Sequence, residues 1–94
     1  MELQNKIKKY RIEIDNIDAQ LVSLLNNRAL SATKIGHIKR EYNAPVYVPS
    51  REEDVIRNVQ EVNQGPLSNN ALKRLFERII DESRRLERET THKE

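Results

Sequence analysis

The chain has 94 residues, the length of one small domain, which we place at residues 1 to 94. Its 17 basic and 15 acidic side chains are interleaved, and with three Tyr and one Phe it has few rings to stack on bases, so nucleic-acid binding has little support. The sequence lacks cysteine, an apolar leader and a membrane-length apolar run, which favours a cytoplasmic protein.

Two Gly and three Pro among many helix-forming residues predict an all-α fold of three helices. The first helix should run from about Leu3 to Tyr42 and end there, because Pro45 disfavours a helical residue before it. Alternating steps of four and three along it give twelve positions, of which ten are apolar: Leu3, Ile7, Tyr10, Ile14, Ile17, Leu21, Leu24, Ile35, Ile38 and Tyr42. The other two positions are Arg28 and Ser31. Such a seam packs against another helix.

The second and third helices are marked by their expected caps. Ser50 and Glu53 have the spacing of a capping box, and Gly65-Pro66 should end the helix that follows. Ser68 can cap the third helix, whose apolar residues are Leu72, Leu75, Phe76, Ile79, Ile80 and Leu86. The tail after about Arg88 is expected to fray.

The length of the first helix predicts a homodimer. Its roughly 40 residues make a rod of about 60 Å, whereas a compact globule of this size is about 30 Å across. The chain cannot cover such a rod by itself. We therefore expect two long helices to run side by side in a two-fold dimer.

Arg28 interrupts the apolar seam of the first helix. A guanidinium buried there costs several kcal/mol unless an anion or acceptor meets it. Arg28 and Lys39 are eleven residues apart, or about three helical turns, so they share one face. The two cations would flank a small apolar floor and form a pocket for a small dianion. Arg11 is about 25 Å along the helix from Arg28, so only a partner chain could deliver it there.

Several segments, in this order and spacing, resemble the AroQ class of chorismate mutases over about residues 4 to 88. They are Arg11-Ile-Glu-Ile-Asp-Asn-Ile-Asp18, Leu21-Val-Ser-Leu-Leu-Asn-Asn-Arg28, Ile35-Gly-His-Ile-Lys39, Pro49-Ser-Arg51-Glu52 and Phe76-Glu-Arg-Ile-Ile-Asp-Glu-Ser83. The resemblance implies an intertwined all-α homodimer with two equivalent active sites. Each site would be formed mainly by one chain, with an arginine from the other.

The implied reaction is a [3,3] rearrangement of the dicarboxylate chorismate to prephenate, in phenylalanine and tyrosine biosynthesis, with no metal or cofactor. The enzyme would hold the reactive conformer and stabilise charge on the breaking ether oxygen. The resemblance implies catalytic roles for Arg28, Lys39, Glu52 and Glu87. The substrate carboxylates would be bound by Arg28, by Arg11 of the partner subunit and by Ser83. Lys39 would reach the ether oxygen and a carboxylate, Arg51 would lie by the enolpyruvyl group, and Glu52 would accept a hydrogen bond from the ring hydroxyl. The apolar walls would be formed by Ile35, Val55 and Ile80.

Two positions depart from the best-known branch of this class. Val48 stands where that branch has an aspartate near the ring hydroxyl, so only a backbone contact could remain. Glu87 stands where it has a glutamine that donates to the ether oxygen, and a glutamate donates only when protonated. The turn at 63–67 resembles mutase domains fused to prephenate dehydratase, so the chain could be free-standing or part of a longer enzyme.

Other interpretations stay open from the sequence. Arg11 could pair with Asp15, Lys39 could be a solvated helix lysine, and Glu87 could pair with Arg84. An isochorismate-pyruvate lyase shares this fold and much of the pocket. A catalytically silent helical dimerisation or regulatory module is the non-enzyme alternative.

Overall fold

The computed structural model describes residues 1 to 92, and the side chains of residues 1 to 90. Helix α1 spans Glu2–Tyr42, α2 spans Pro49–Glu61 and α3 spans Asn69–His92, with no strand among the described residues. The predicted all-α class and the three helices are confirmed. Within residues 1 to 92 no helix is long and apolar enough to cross a membrane. The chain divides into two compact units, one of Met1–Leu30 and one that begins at Ser31.

The first unit is a single helical segment whose predicted apolar seam is exposed in the isolated chain. The exposed fraction is 65% for Leu3, 54% for Ile14 and 62% for Leu24. Tyr10, Ile17 and Leu21 are exposed to a similar degree. Side chains of this size on one helix face remain uncovered by the described residues.

Helix α1 ends where the sequence predicted. Asn43 has the left-handed φ of 53°, and the backbone N–H groups of Asn43 and Ala44 donate to the carbonyls of Arg40 and Lys39, at 3.4 and 2.9 Å. These two bonds form a Schellman motif, which satisfies carbonyls that the helix leaves free. Asparagine tolerates the left-handed region better than most residues, and Pro45 prevents the helix from resuming.

The capping box predicted at Ser50 is wrong. Val48 is the N-cap residue of α2, no side chain caps the helix, and Pro49 occupies its first turn. The Val48 carbonyl accepts the backbone N–H groups of Arg51 and Glu52, at 3.1 and 3.2 Å. Proline starts a helix well because its φ is already helical and its missing N–H would have no partner there. Ser50 therefore lies inside the first turn, and the helix ends at Glu61, before the predicted Gly65.

The predicted cap of α3 is confirmed, since the Ser68 hydroxyl accepts the backbone N–H of Ala71 at 3.0 Å. The helix continues past Arg88, where we expected fraying, to His92. Thr90 is buried and its hydroxyl donates to the Leu86 carbonyl at 2.8 Å. The last predicted tail residues, 93 and 94, lie outside the described part of the chain.

Gly36 lets α1 and α3 approach closely in the second unit. A Cβ atom at this position would lie 2.9 Å from Thr90 Cβ and 3.0 Å from the Glu87 Cα atom. Ala32, Ile80 and Thr90 are buried in the same unit. The absence of a side chain at Gly36 thus sets the distance between the helices that carry Lys39 and Glu87.

Gly36→Ala is expected to lower the free energy of unfolding by about 1 to 3 kcal/mol, the usual effect of overpacking. Alanine favours the helix by about 1 kcal/mol, but its methyl group would press on the α3 backbone, which cannot rotate away. Urea unfolding measures the change. His37→Ala, an exposed substitution on the same helix, is the control and should be close to neutral. A Gly36→Ala protein as stable as its parent would contradict the close contact.

Candidate active site

A cavity of about 250 Å³ lies within the second unit, where all three helices contribute to its wall. It is lined by Ile35, Lys39, Val46, Val48, Arg51, Glu52, Val55, Ile80, Ser83, Arg84 and Glu87. Nine of the eleven predicted site residues are in this set. The other two, Arg11 and Arg28, belong to the first unit, where Arg11 is exposed and Arg28 is half-buried.

Lys39 is the cation at the centre of the polar lining. Its Nζ atom donates to Glu87 Oε1 at 2.7 Å and to the Val46 carbonyl at 2.9 Å. The side chains of Lys39 and Glu87 are only 19% and 14% exposed. Lys39 is therefore not the solvated helix lysine that the sequence left open, and Glu87 pairs with Lys39 rather than with Arg84.

Glu52 is held by a second cation, Arg84. The guanidinium donates from Nε to Glu52 Oε2 at 3.0 Å and from Nη2 to Glu52 Oε1 at 2.8 Å. This two-bond fork fixes the plane of the carboxylate as well as its position. The hydrogen bond with Glu52 is the main reason that the pKa of Arg84 is raised above its ordinary value. Both side chains are 26% exposed, so water still reaches the pair.

The remaining polar contributions come from Ser83, Val48 and Arg51. The Ser83 hydroxyl donates to the Ile79 carbonyl at 3.0 Å, so it would have to redirect its proton to support a ligand carboxylate. The Val48 carbonyl already accepts two N–H groups of the first turn of α2, so a ligand would have to share it. Arg51 projects from that turn and is exposed, as suits a group at a cavity mouth.

Two lining residues were not among the predicted site residues. Arg84 lies four residues after Ile80 and three before Glu87, which puts all three on one face of the helix. The sequence could therefore have predicted Arg84 as a lining residue. Val46 contributes a backbone carbonyl, which no side-chain pattern reveals. In the described part of the chain, no group of three or more His, Cys, Asp or Glu could hold a metal ion.

A larger cavity of about 660 Å³ shares Glu52, Ile80 and Arg84 with the first. The rest of its lining is Tyr47, Pro49, Glu53, Ile56, Arg57, Gln60, Lys73, Glu77 and Asp81, a mixture of both charges. We take the smaller cavity as the candidate active site, because Lys39 and Arg51 there lie beside apolar walls that can hold an organic anion.

The chain belongs to the chorismate mutase type II family, whose model matches residues 10–88. It is 42% identical over 82 residues to the bifunctional chorismate mutase/prephenate dehydratase of Neisseria gonorrhoeae, covering 87% of this chain and 22% of that protein. The protein of the same description from Aquifex aeolicus is 36% identical over 87 residues, 88% of this chain and 24% of that one. The chain thus spans roughly a quarter of the length of these curated relatives.

Solved structures agree with the fold. The chorismate mutase of Thermus thermophilus, in its form II structure, superposes with a TM-score of 0.86 at 30% identity, over 88% of this chain and 94% of that one. The chorismate mutase of Helicobacter pylori in complex with prephenate superposes with a TM-score of 0.84 at 27% identity, over 94% and 96% of the two chains.

Proposed function

We propose that this chain catalyses the rearrangement of chorismate to prephenate in its 250 Å³ cavity. The observation that carries the proposal is the Lys39 ammonium, which Glu87 and the Val46 carbonyl hold beside apolar walls. A fixed cation of this kind suits a small dicarboxylate whose ether oxygen gains negative charge as its bond breaks. The prephenate bound to the Helicobacter pylori relative supports the same substrate class.

The reaction has one substrate, so binding and electrostatics are the contributions required of the protein. In our proposal Ile35, Val55 and Ile80 enclose the ring, and Glu52 accepts a hydrogen bond from its hydroxyl group. Lys39 and Glu87 meet the ether oxygen. The carboxylates are held by Arg28, by Arg51 and Ser83 of the cavity lining, and by Arg11 of the partner subunit.

We propose a homodimer because the first unit exposes an apolar face that no described residue of the same chain covers. Leu3, Ile14 and Leu24 are each more than half exposed. Burying the part of each side chain that is still exposed contributes roughly 1 to 2 kcal/mol, and a second copy of the same helix supplies a matching face. We place the dimer in the cytoplasm, as expected of a chain without cysteine.

The first experiment is an assay with purified protein and chorismate. Loss of chorismate absorbance with prephenate as the identified product is the expected result. A second incubation, with isochorismate, tests the lyase alternative. If isochorismate releases pyruvate and chorismate gives no prephenate, the chain is a lyase and our proposal is wrong. A chain inactive toward both substrates would favour the silent dimerisation module.

Subunit mixing tests the shared site. Arg11→Ala and Arg28→Ala chains are each expected to be nearly inactive. A mixed dimer would pair an intact Arg28 on one chain with an intact Arg11 on the other, so mixing equal amounts should recover up to about one quarter of the parental activity.

The control mixture combines Arg28→Ala with Lys39→Ala. In our proposal Arg28 and Lys39 both act in the site of their own chain. Each site of a mixed dimer would therefore lack one of the two cations, and no activity should return. Recovery in the control, or none in the test mixture after subunit exchange has been demonstrated, would argue against Arg11 of the partner subunit. A monomer in sedimentation would remove the dimer itself.

A further inference from the structure

Two carboxylates line the candidate active site, and each is matched by its own cation. Glu87 accepts from Lys39 at 2.7 Å, and Glu52 accepts from Arg84 at 2.8 and 3.0 Å. Lys39 was among the predicted site residues, but Arg84 was not. Arg84 also lines the cavity, so its role in the site needs an explanation of its own.

The geometry of the Arg84–Glu52 pair leaves Glu52 able to act. The fork uses one lone pair on each carboxylate oxygen, and each oxygen keeps another that can accept from a hydroxyl group. Because both oxygens are held, the carboxylate cannot rotate about its terminal bond. Its free lone pairs therefore point in fixed directions, which a single-point contact could not ensure.

Arg84 is itself held on several sides. Its guanidinium lies over the Tyr47 ring, with Cζ 5.0 Å from the ring centroid. Asp81, one turn earlier on α3, approaches Nη2 at 3.5 Å. A ring face attracts a cation, and a planar guanidinium stacks on it well. The loop before α2 and helix α3 thus both orient the group that orients Glu52.

The charge of Arg84 gives the Arg84–Glu52 pair a second effect, on substrate binding. A dicarboxylate that enters the cavity would be repelled by the Glu52 carboxylate, which our proposed function needs as an acceptor. Arg84 places a compensating positive charge within hydrogen-bonding distance of it. Arg84 thereby reduces the repulsion that Glu52 would exert on the substrate. Asp81, the other carboxylate beside Arg84, is exposed and lines the larger cavity instead.

We propose that Arg84 is a positioning residue of the active site, which orients the Glu52 carboxylate toward the substrate hydroxyl and offsets its charge so that a dicarboxylate can bind. The inference rests on the proposed function, because it takes Glu52 as the acceptor of that hydroxyl group.

A double-mutant cycle with prephenate as the binding probe tests the inference. Arg84→Met should raise the KM for chorismate and the calorimetric Kd for prephenate about tenfold, which corresponds to about 1.4 kcal/mol. It should also lower kcat. Arg84→Lys keeps the charge and should restore the Kd to within about threefold of the parent, but kcat should stay low, because an ammonium cannot hold both oxygens. Arg85→Met, an exposed neighbour with the same charge change, should leave all three constants unchanged.

The double-mutant cycle is completed with Glu52→Gln and with the double variant that carries both Glu52→Gln and Arg84→Met. In the Glu52→Gln background, adding Arg84→Met should change kcat less than about twofold, because the group that Arg84 orients is already altered. The prephenate Kd should still rise, because the Arg84 charge attracts the dicarboxylate whether or not Glu52 is charged. Additive effects on kcat would overturn the inference. So would an Arg84→Met protein with a lower melting temperature but parental kcat and KM, since that is the result of a purely structural role.

The outcomes also separate this inference from the proposed function. If the parent chain forms no prephenate, the proposed function is wrong. If the parent chain is active and both Arg84→Met and Arg84→Lys have its kcat, KM and Kd, only the proposed role of Arg84 is wrong. If Arg84→Met does not fold, Arg84→Lys decides alone, and a kcat equal to that of the parent overturns the inference.

Discussion

Lys39→Met is expected to lower kcat for chorismate by two to three orders of magnitude. Removing one preorganised group that stabilises charge in a transition state typically costs about 3 to 4 kcal/mol. Lys39 is 19% exposed and held at two points, so its ammonium needs little reorganisation to meet the ether oxygen. Methionine keeps the length of the apolar stem and removes only the charge and its donors. Steady-state kinetics at saturating chorismate measures the effect.

The same substitution should reduce stability far less. Glu87 would lose its donor while it remains 14% exposed, a loss of about 1 to 3 kcal/mol. Lys34→Met, an exposed lysine on the same helix, is the matched control and should change neither quantity much. If the activity lost by Lys39→Met equals the fraction of protein that is unfolded in the assay, Lys39 is structural and the proposed mechanism is wrong.

Glu87→Gln is expected to raise kcat for chorismate. Glu87 accepts from Lys39 in the structure, and a carboxylate that accepts has no proton to donate to the ether oxygen. It would also repel the negative charge that develops on that oxygen. A glutamine side chain keeps an oxygen that can accept from Lys39 and adds an N–H donor for the ether oxygen. Steady-state kinetics of the two proteins at one pH measures the difference.

Glu89→Gln, an exposed carboxylate on the same helix, is the control and should keep the parental kcat. An equal kcat for the parent and Glu87→Gln would contradict a donor role at this position. A lower kcat for Glu87→Gln would show that the ion pair of Glu87 with Lys39 is what the reaction needs.

Local chemistry explains which helix boundaries could be predicted. Pro45 and Asn43 lie next to the end of α1, and Ser68 lies three residues before the N–H that it caps, so neighbours in sequence decide both. The error at Ser50 has a local cause as well. Two helix-starting signals, Pro49 and Ser50, stand side by side, and the proline takes the first turn.

The helix period and the family resemblance together predicted Lys39, Ser83 and Glu87 as site residues. The structure brings these three side chains to one cavity, and their roles there stay predictions. Arg84 could have been found from its spacing to Ile80, but not its bond to Glu52, which is 32 residues away. The roles of Arg11 and Arg28, and the dimer that would join them, stay predictions.

By itself, the sequence determined the helical class, the long first helix, the apolar seam and the set of charged residues that interrupt it. These depend on spacing along one chain, and a helix converts spacing into a face without outside help. The tertiary structure decided which charges meet. Lys39 pairs with Glu87 across 48 residues, because Gly36 lets α1 and α3 come close enough for their side chains to touch. Partner choice among many charged residues depends on distances in space, and only packing sets those distances.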